Sequence, residues 1–335
     1  MSAIKRKFPL GFQWPTLEPF LFCVHHNDFY PKGNENFGPD PKFLKGRSLG
    51  EDFQVKDGFR MYHGEEVPGF PVHPHRGFET VTIVRKGYID HADSMGATAR
   101  YGEGDVQWLT AGKGIQHSEM FPLLKRDTEN TVELFQIWLN LPRASKMAEP
   151  NFTMFWSEKI PQLSLADGKV RVSVIAGEFN GTKANSPPPA SWASQESSEV
   201  AIWLVKIEKG AAVELPASRG AVSRALYFFE GKSLLIDGED VAANTGIEVE
   251  STSAITLEAR DSAVELLVLQ AKPIGEPVVQ HGPFVMNERE EIIQTFRDFE
   301  KTQFGGWSFP RHDMVHGKEI ERFARHPGGR IEKPT

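Results

Sequence analysis

The chain has 335 residues, 45 acidic and 38 basic, with a formal net charge of -7 and 39% hydrophobic residues, among them 24 Phe and 7 Trp. This length suits two domains of ordinary size, and the apolar content is enough for two packed cores, which excludes a wholly disordered chain. Mixed charges with a slight acidic excess leave no electrostatic footprint for direct nucleic-acid or anionic-membrane binding, and the single Cys23 excludes an intramolecular disulfide.

The basic start Lys5-Arg6-Lys7 leads into Pro9 and the polar, aromatic Gly11-Phe-Gln-Trp14. A secretory signal needs roughly 7–15 apolar residues at that point, and a membrane span needs about 18. Neither occurs, so the expectation is a soluble, cytoplasmic protein without a membrane partner. The run Phe20-Leu-Phe-Cys-Val24 predicts the first strand, with Cys23 a buried, unreactive thiol rather than a nucleophile. His25 and His26 follow it, and adjacent strand residues point to opposite faces, which favours structural over ligating roles.

From Phe70 to Leu141 short apolar runs alternate with turns. Thr80–Val84, Asp105–Leu109 and Val132–Leu139 read as strands, and Asp93-Ser-Met-Gly96 as a turn. Strands at this spacing predict a β-sandwich or barrel. Leu141–Pro161, with three prolines, reads as a bridge between domains. The β rhythm resumes at Val170–Ile175, Val200–Ile207, Arg224–Phe229, Ser233–Ile236 and Ala263–Leu269, with Asp237-Gly238 as a hairpin turn. Gly177–Glu199, rich in Ser, Pro, Ala and Asn, reads as an insertion or mobile loop.

After Pro277 the pattern turns helical. Asn287 is a candidate N-cap before Glu288-Arg-Glu290, and Ile292, Ile293, Phe296 and Phe299 recur at helical spacing up to Gly305-Gly306. The aromatic, Arg- and His-rich tail is too irregular to fold alone, and its His312, His316 and His326 read as surface or salt-bridge residues.

The chemistry concentrates between Val72 and Glu119. His73 and His75 are two residues apart, as are His117 and Glu119, so on strands each pair shares one face. Inside a barrel that face is the lumen. Three imidazoles and a carboxylate suit a first-row divalent ion and leave coordination positions open, as a catalytic site requires. Spacing leaves Glu79 as well as Glu119 able to serve as the carboxylate, since both have inward parity. His63 and His91 flank the site and read as hydrogen-bonded structural residues. Phe78, Met120 and Phe121 are placed to line an apolar mouth or to pack the core. No histidine occurs between Ser118 and Gln280, so the second domain lacks these ligand pairs.

The segments His73-Pro-His-Arg-Gly-Phe-Glu-Thr80, His91-Ala-Asp-Ser-Met-Gly96, Gly104-Asp-Val-Gln-Trp108, Thr110-Ala-Gly-Lys-Gly114, His117-Ser-Glu119 and Gln280-His-Gly-Pro-Phe-Val-Met-Asn287 resemble the pirin family of the cupin superfamily. The resemblance implies an all-β fold of two tandem cupin (jelly-roll β-barrel) domains with a C-terminal helix. The expected division is residues 1–145, carrying the metal, and 146–335, without ligands but with the helix and tail. It selects Glu119 over Glu79 to complete a set of His73, His75, His117 and Glu119. It also implies Fe(II), with Mn, Co, Ni, Cu or Zn as other ions these donors accept. The activity implied is that of a quercetin 2,3-dioxygenase: a flavonol-like substrate, bound through its deprotonated 3-hydroxyl, is cleaved by O2 with release of CO, Glu119 accepting the proton. The alternative it implies is a metal- or redox-dependent regulatory protein of the transcriptional-cofactor type with a protein partner. A monomer or weak dimer is expected in either case.

Overall fold

A computed structural model describes residues 2–335. Strands dominate, and the helix α1 (Arg289–Thr302) is the single α-helix among the described residues. No helix is long and apolar enough to cross a membrane. The described chain forms two compact units, one of residues 25–136, 143–158 and 276–335, the other of residues 2–24, 137–142 and 159–275. The helix and tail therefore cluster with the strands that carry the histidine pairs.

In that unit a six-stranded sheet runs in the order Ile331–Glu332, Phe323–Arg325, Thr98–Gly102, Tyr88–Asp93, Ile115–Met120, Gly69–His75. The edge strand Gly69–His75 pairs antiparallel with Ile115–Met120, which brings the two ligand pairs side by side. A second sheet contains Asn151–Phe155, Val106–Thr110, Phe78–Lys86 and Asn130–Asn140. Between them lies an apolar core including Ile89, Tyr101, Leu109, Ile115, Phe121 and Leu134, all at most 2% exposed. In the other unit a seven-stranded and a four-stranded sheet enclose a core including Trp203, Leu226, Phe228, Leu266 and Val268.

The predicted strands form with small boundary shifts, as Phe78–Lys86, Val106–Thr110, Asn130–Asn140, Val170–Ala176, Ala201–Ile207, Ser223–Glu230, Ser233–Ile236 and Val264–Ala271. The first, Phe20–Tyr30, runs past both histidines. Asp237 and Gly238 both have positive φ (48° and 83°), which the tight turn between Ser233–Ile236 and Glu239–Ala242 demands.

The segment read as a bridge holds the strand Asn151–Phe155, which pairs with Val106–Thr110. Its alternating burial is short and hidden between prolines. Gly177–Glu199 is folded rather than a bare loop: it contains a two-strand ribbon, and Phe179 packs edge-on to Trp203 at 5.0 Å. At α1 the cap is Glu288, not Asn287. Glu288 and Glu291 form the reciprocal capping box, and Glu291 also accepts from the Asn287 amide at 2.9 Å. Ile292 and Thr295 are buried, while Ile293 and Phe296 stay 46% and 43% exposed, so the apolar stripe is only partly covered.

Candidate metal centre

The edge strand reaches the site through a bulge. Phe70 faces Glu119 and His73 faces His117, so three steps on one strand match two on the other at Pro71-Val72. A bulge re-aims side chains, and here it puts the Pro71 carbonyl 2.8 Å from His73 Nδ1. Only an N–H can meet a carbonyl, so His73 presents its other nitrogen, Nε2, with a free lone pair. On the far side of Ile115–Met120, His91 faces Glu119 and Asp93 faces His117. Two rows result: His73, His117, Asp93 and Phe70, Glu119, His91.

Both ends of the motif are pinned. Gly77 has φ 85°, and a Cβ there would lie 1.9 Å from the Val285 carbonyl oxygen. Lys146, itself buried, donates to the carbonyls of Gly77 and Val285 at 2.8 and 3.0 Å. Arg76 Nε donates to the Lys113 carbonyl at 2.6 Å, and its Nη1 pairs with Asp298 on α1 at 2.7 Å. The same guanidinium lies over the Phe304 ring at 4.5 Å. Arg76 thus fastens the turn after His75 to the segment before His117, which holds both ligand-bearing strands against the helix.

One ligand nitrogen from each of His73, His75 and His117 comes within 4.8 Å of the others. Ring centroids lie 4.5 Å apart for His73 and His117, 4.8 Å for His73 and His75, and 4.9 Å for His75 and His117. Burial lowers all three basicities, His73 to about 4 and the other two well below the usual imidazole value, and their mutual charges add to the effect for His75 and His117. The rings are therefore neutral at pH 7. Neither nitrogen of His117 has a hydrogen-bond partner among the described residues, although the ring is fully buried. Buried polar atoms are rarely left so, and three converging neutral imidazoles are the donor set that a divalent ion takes. The three histidines could hold a metal ion.

Glu119, 5% exposed, has Oε2 3.9 Å from His117 Nε2. Burial pushes its carboxyl above the usual carboxylate range, against the opposing pull of the His91 charge and of hydrogen bonds from Thr82, Tyr101 and Gln136. Gln136 Nε2 donates to Glu119 Oε2 at 3.3 Å, while Thr82 Oγ1 lies 3.1 Å from Glu119 Oε1 and 2.7 Å from Gln136 Oε1. Glu79, fully buried, accepts from Thr110 Oγ1 at 2.7 Å on the other sheet and is not in the histidine group.

The remaining histidines have other partners. His91 meets Asp93 at 3.1 Å and stacks on Phe152; His63 donates to the Gly50 carbonyl and His316 to the His91 carbonyl. His25 meets Glu133, His26 meets the Tyr62 hydroxyl and His326 meets Glu332, while the His312 carbonyl accepts from the Val72 amide. Phe78, Met120 and Phe121 are buried, with the Phe78 ring 5.0 Å from that of His75. Thr82, Tyr101 and Gln136 were missed in the sequence. Their role depends on cross-strand register, and the one local hint was a polar residue amid apolar alternation.

The chain matches the family model described as Pirin over residues 12–139, and that described as Pirin C-terminal cupin domain over residues 202–305. A Pseudomonas aeruginosa protein named "Putative quercetin 2,3-dioxygenase" is 37% identical over 238 residues, 70% of this chain and 79% of its own length. Pirin of Rattus norvegicus is 37% identical over 278 residues, 80% of this chain and 85% of its own length. The crystal structure of quercetin 2,3-dioxygenase from Acinetobacter baumannii aligns with a TM-score of 0.72 at 25% identity, covering 91% of this chain and 99% of that one.

Proposed function

The chain belongs to the pirin family, and from that premise we propose that it is a metal-dependent dioxygenase of the quercetin 2,3-dioxygenase kind, taking a flavonol-like substrate and O2. The observation that carries the reading is the convergence of three neutral imidazoles, those of His75 and His117 buried and that of His73 partly buried, beside a buried carboxylate. His73, His75, His117 and Glu119 are the proposed ligands and Fe(II) the proposed ion. When bound, such an ion supplies Lewis acidity toward a substrate hydroxyl and open positions for substrate and O2.

The protein's own part is to place and move a proton. Glu119 is the proposed base for the substrate hydroxyl. Burial makes its carboxylate hold a proton more readily than an exposed one, which suits that task. Thr82 has one hydroxyl proton between two acceptor oxygens, Glu119 Oε1 and Gln136 Oε1. When the Thr82 proton goes to Gln136, a protonated Glu119 can donate to Thr82, and every oxygen of the trio is satisfied. Burial favours the protonated acid, and the hydrogen bonds from Thr82 and Gln136 hold the group in place in its ionised form. His73 is steadied through Nδ1 by Pro71, which keeps its tautomer fixed.

The choice of carboxylate is tested by substitution. Glu119→Gln should abolish turnover while retaining some metal, and Glu79→Gln should keep both; the reverse outcome would transfer the role to Glu79.

A further inference from the structure

The second barrel has no histidine pair, yet its interior is not wholly apolar. Leu226 and Phe228, Leu266 and Val268, and Trp203 and Val205 belong to its core. Counting by twos, back from Leu226 and on from Val268, Arg224 and Gln270 have the same inward parity, and the register sets Gln270 between Arg224 on one side and Ala201 on the other. A cation thus occupies a core position.

Arg224 is 1% exposed. Nε donates to Gln270 Oε1 at 2.7 Å and Nη2 to the Pro216 carbonyl at 2.8 Å, both neutral acceptors. Gln270 cannot turn away, because its Nε2 is committed to the Glu199 carbonyl at 3.2 Å. Nη1 is buried with no hydrogen-bond partner among the described residues, and so is Nε1 of Trp203 in the same core. Glu199 and Glu250 attract the guanidinium only from a distance. Their carboxylates bind other groups, Glu199 the Arg219 amide and Glu250 Lys5 and Thr252. A buried guanidinium normally has an ion-pair partner, and leaving one without is costly. Pro216, whose carbonyl Arg224 binds, opens an irregular, largely exposed stretch to Ala221.

We propose that the second barrel is an anion-binding domain, in which the free Nη1 end of Arg224 takes a small anion, a monocarboxylate or a halide. With Nε and Nη2 already engaged, Nη1 is left to donate to one carboxylate oxygen or to a halide. Close burial restricts the ligand to a few heavy atoms. The site is independent of the histidine cluster and of the dioxygenase reading.

The test uses the full chain loaded with Zn(II), so that no paramagnetic ion disturbs the signal. Binding of 13C-formate is followed by line broadening, with bromide as competitor, for the native protein, Arg224→Met and Arg224→Lys. Expected are saturable broadening in the native protein, at least tenfold weaker affinity in Arg224→Met, and an intermediate value in Arg224→Lys. In bromide-soaked crystals of the native protein an anomalous peak is expected within hydrogen-bonding reach of Nη1. Bromide binding without formate binding narrows the site to halides. Equal formate broadening in native protein and Arg224→Met, with only water at Nη1, overturns the proposal. Should Arg224→Met fail to fold, the bromide peak or its absence decides.

Discussion

Thr82 Oγ1 lies 3.1 Å from Glu119 Oε1, so a strand in one sheet steadies a carboxylate carried by the other. Removing that hydroxyl while keeping the shape should disturb proton handling without emptying the site. Thr82→Val is expected to lower turnover by about 10- to 100-fold, the usual effect of losing a group that orients a ligand. Metal content measured by mass spectrometry should stay near that of the native protein.

Metal removal should be felt in stability. A ligand present at about 100 times its dissociation constant stabilises the folded state by about 2.7 kcal/mol. Chelation is therefore expected to lower the melting temperature by several degrees, and re-addition of Fe(II) or Zn(II) to restore it. His117→Ala should show no such response, because it removes one of the three imidazoles that would hold the ion. Calorimetry with and without chelator checks both.

The tail is held by a buried pair. Arg100, 1% exposed, meets Asp90 twice, at 2.7 and 2.6 Å, and donates to the His316 and Glu319 carbonyls. Asp90→Asn leaves the guanidinium without its counter-charge and should cost about 3–5 kcal/mol. Limited proteolysis should then cut near residues 311–320 sooner than in the native protein.

Much of this arrangement was readable from residue order. The strand rhythm and the two His-x-His and His-x-Glu pairs obey a period of two, which needs no knowledge of the fold. What escaped was set by pairing between distant strands. Asn151–Phe155 alternates, but its partner Val106–Thr110 lies far earlier in the chain. Ile4–Pro9 reads as a basic patch because Lys5, Arg6 and Lys7 interrupt it, yet it pairs with Thr245–Val249 and its charges meet Glu250, Glu248 and Glu239. The bulge at Pro71-Val72, which sets His73 opposite His117, leaves no mark in the spacing.

Acid should weaken the fold through Glu133. Burial alone would push its carboxyl up, but the hydrogen bonds from His25 and Lys86 and the charge of Arg85 outweigh it and hold the carboxyl at about 2. Its folded value lies below the unfolded one, so its contribution is complete above about pH 4.5 and is lost as pH falls towards 2. The loss should reach about 3 kcal/mol, at about 1.4 kcal/mol per unit. Glu133→Gln should flatten stability against pH in that window, as read from denaturant midpoints.

The most direct measurement is turnover itself. Protein reconstituted anaerobically with Fe(II), and in parallel with Mn(II), Co(II) or Ni(II), is given quercetin and O2 while CO release and O2 uptake are followed. CO and O2 in equal amounts, abolished in Glu119→Gln and His117→Ala, are the predicted result. No turnover with any of these ions would contradict the dioxygenase reading for flavonols.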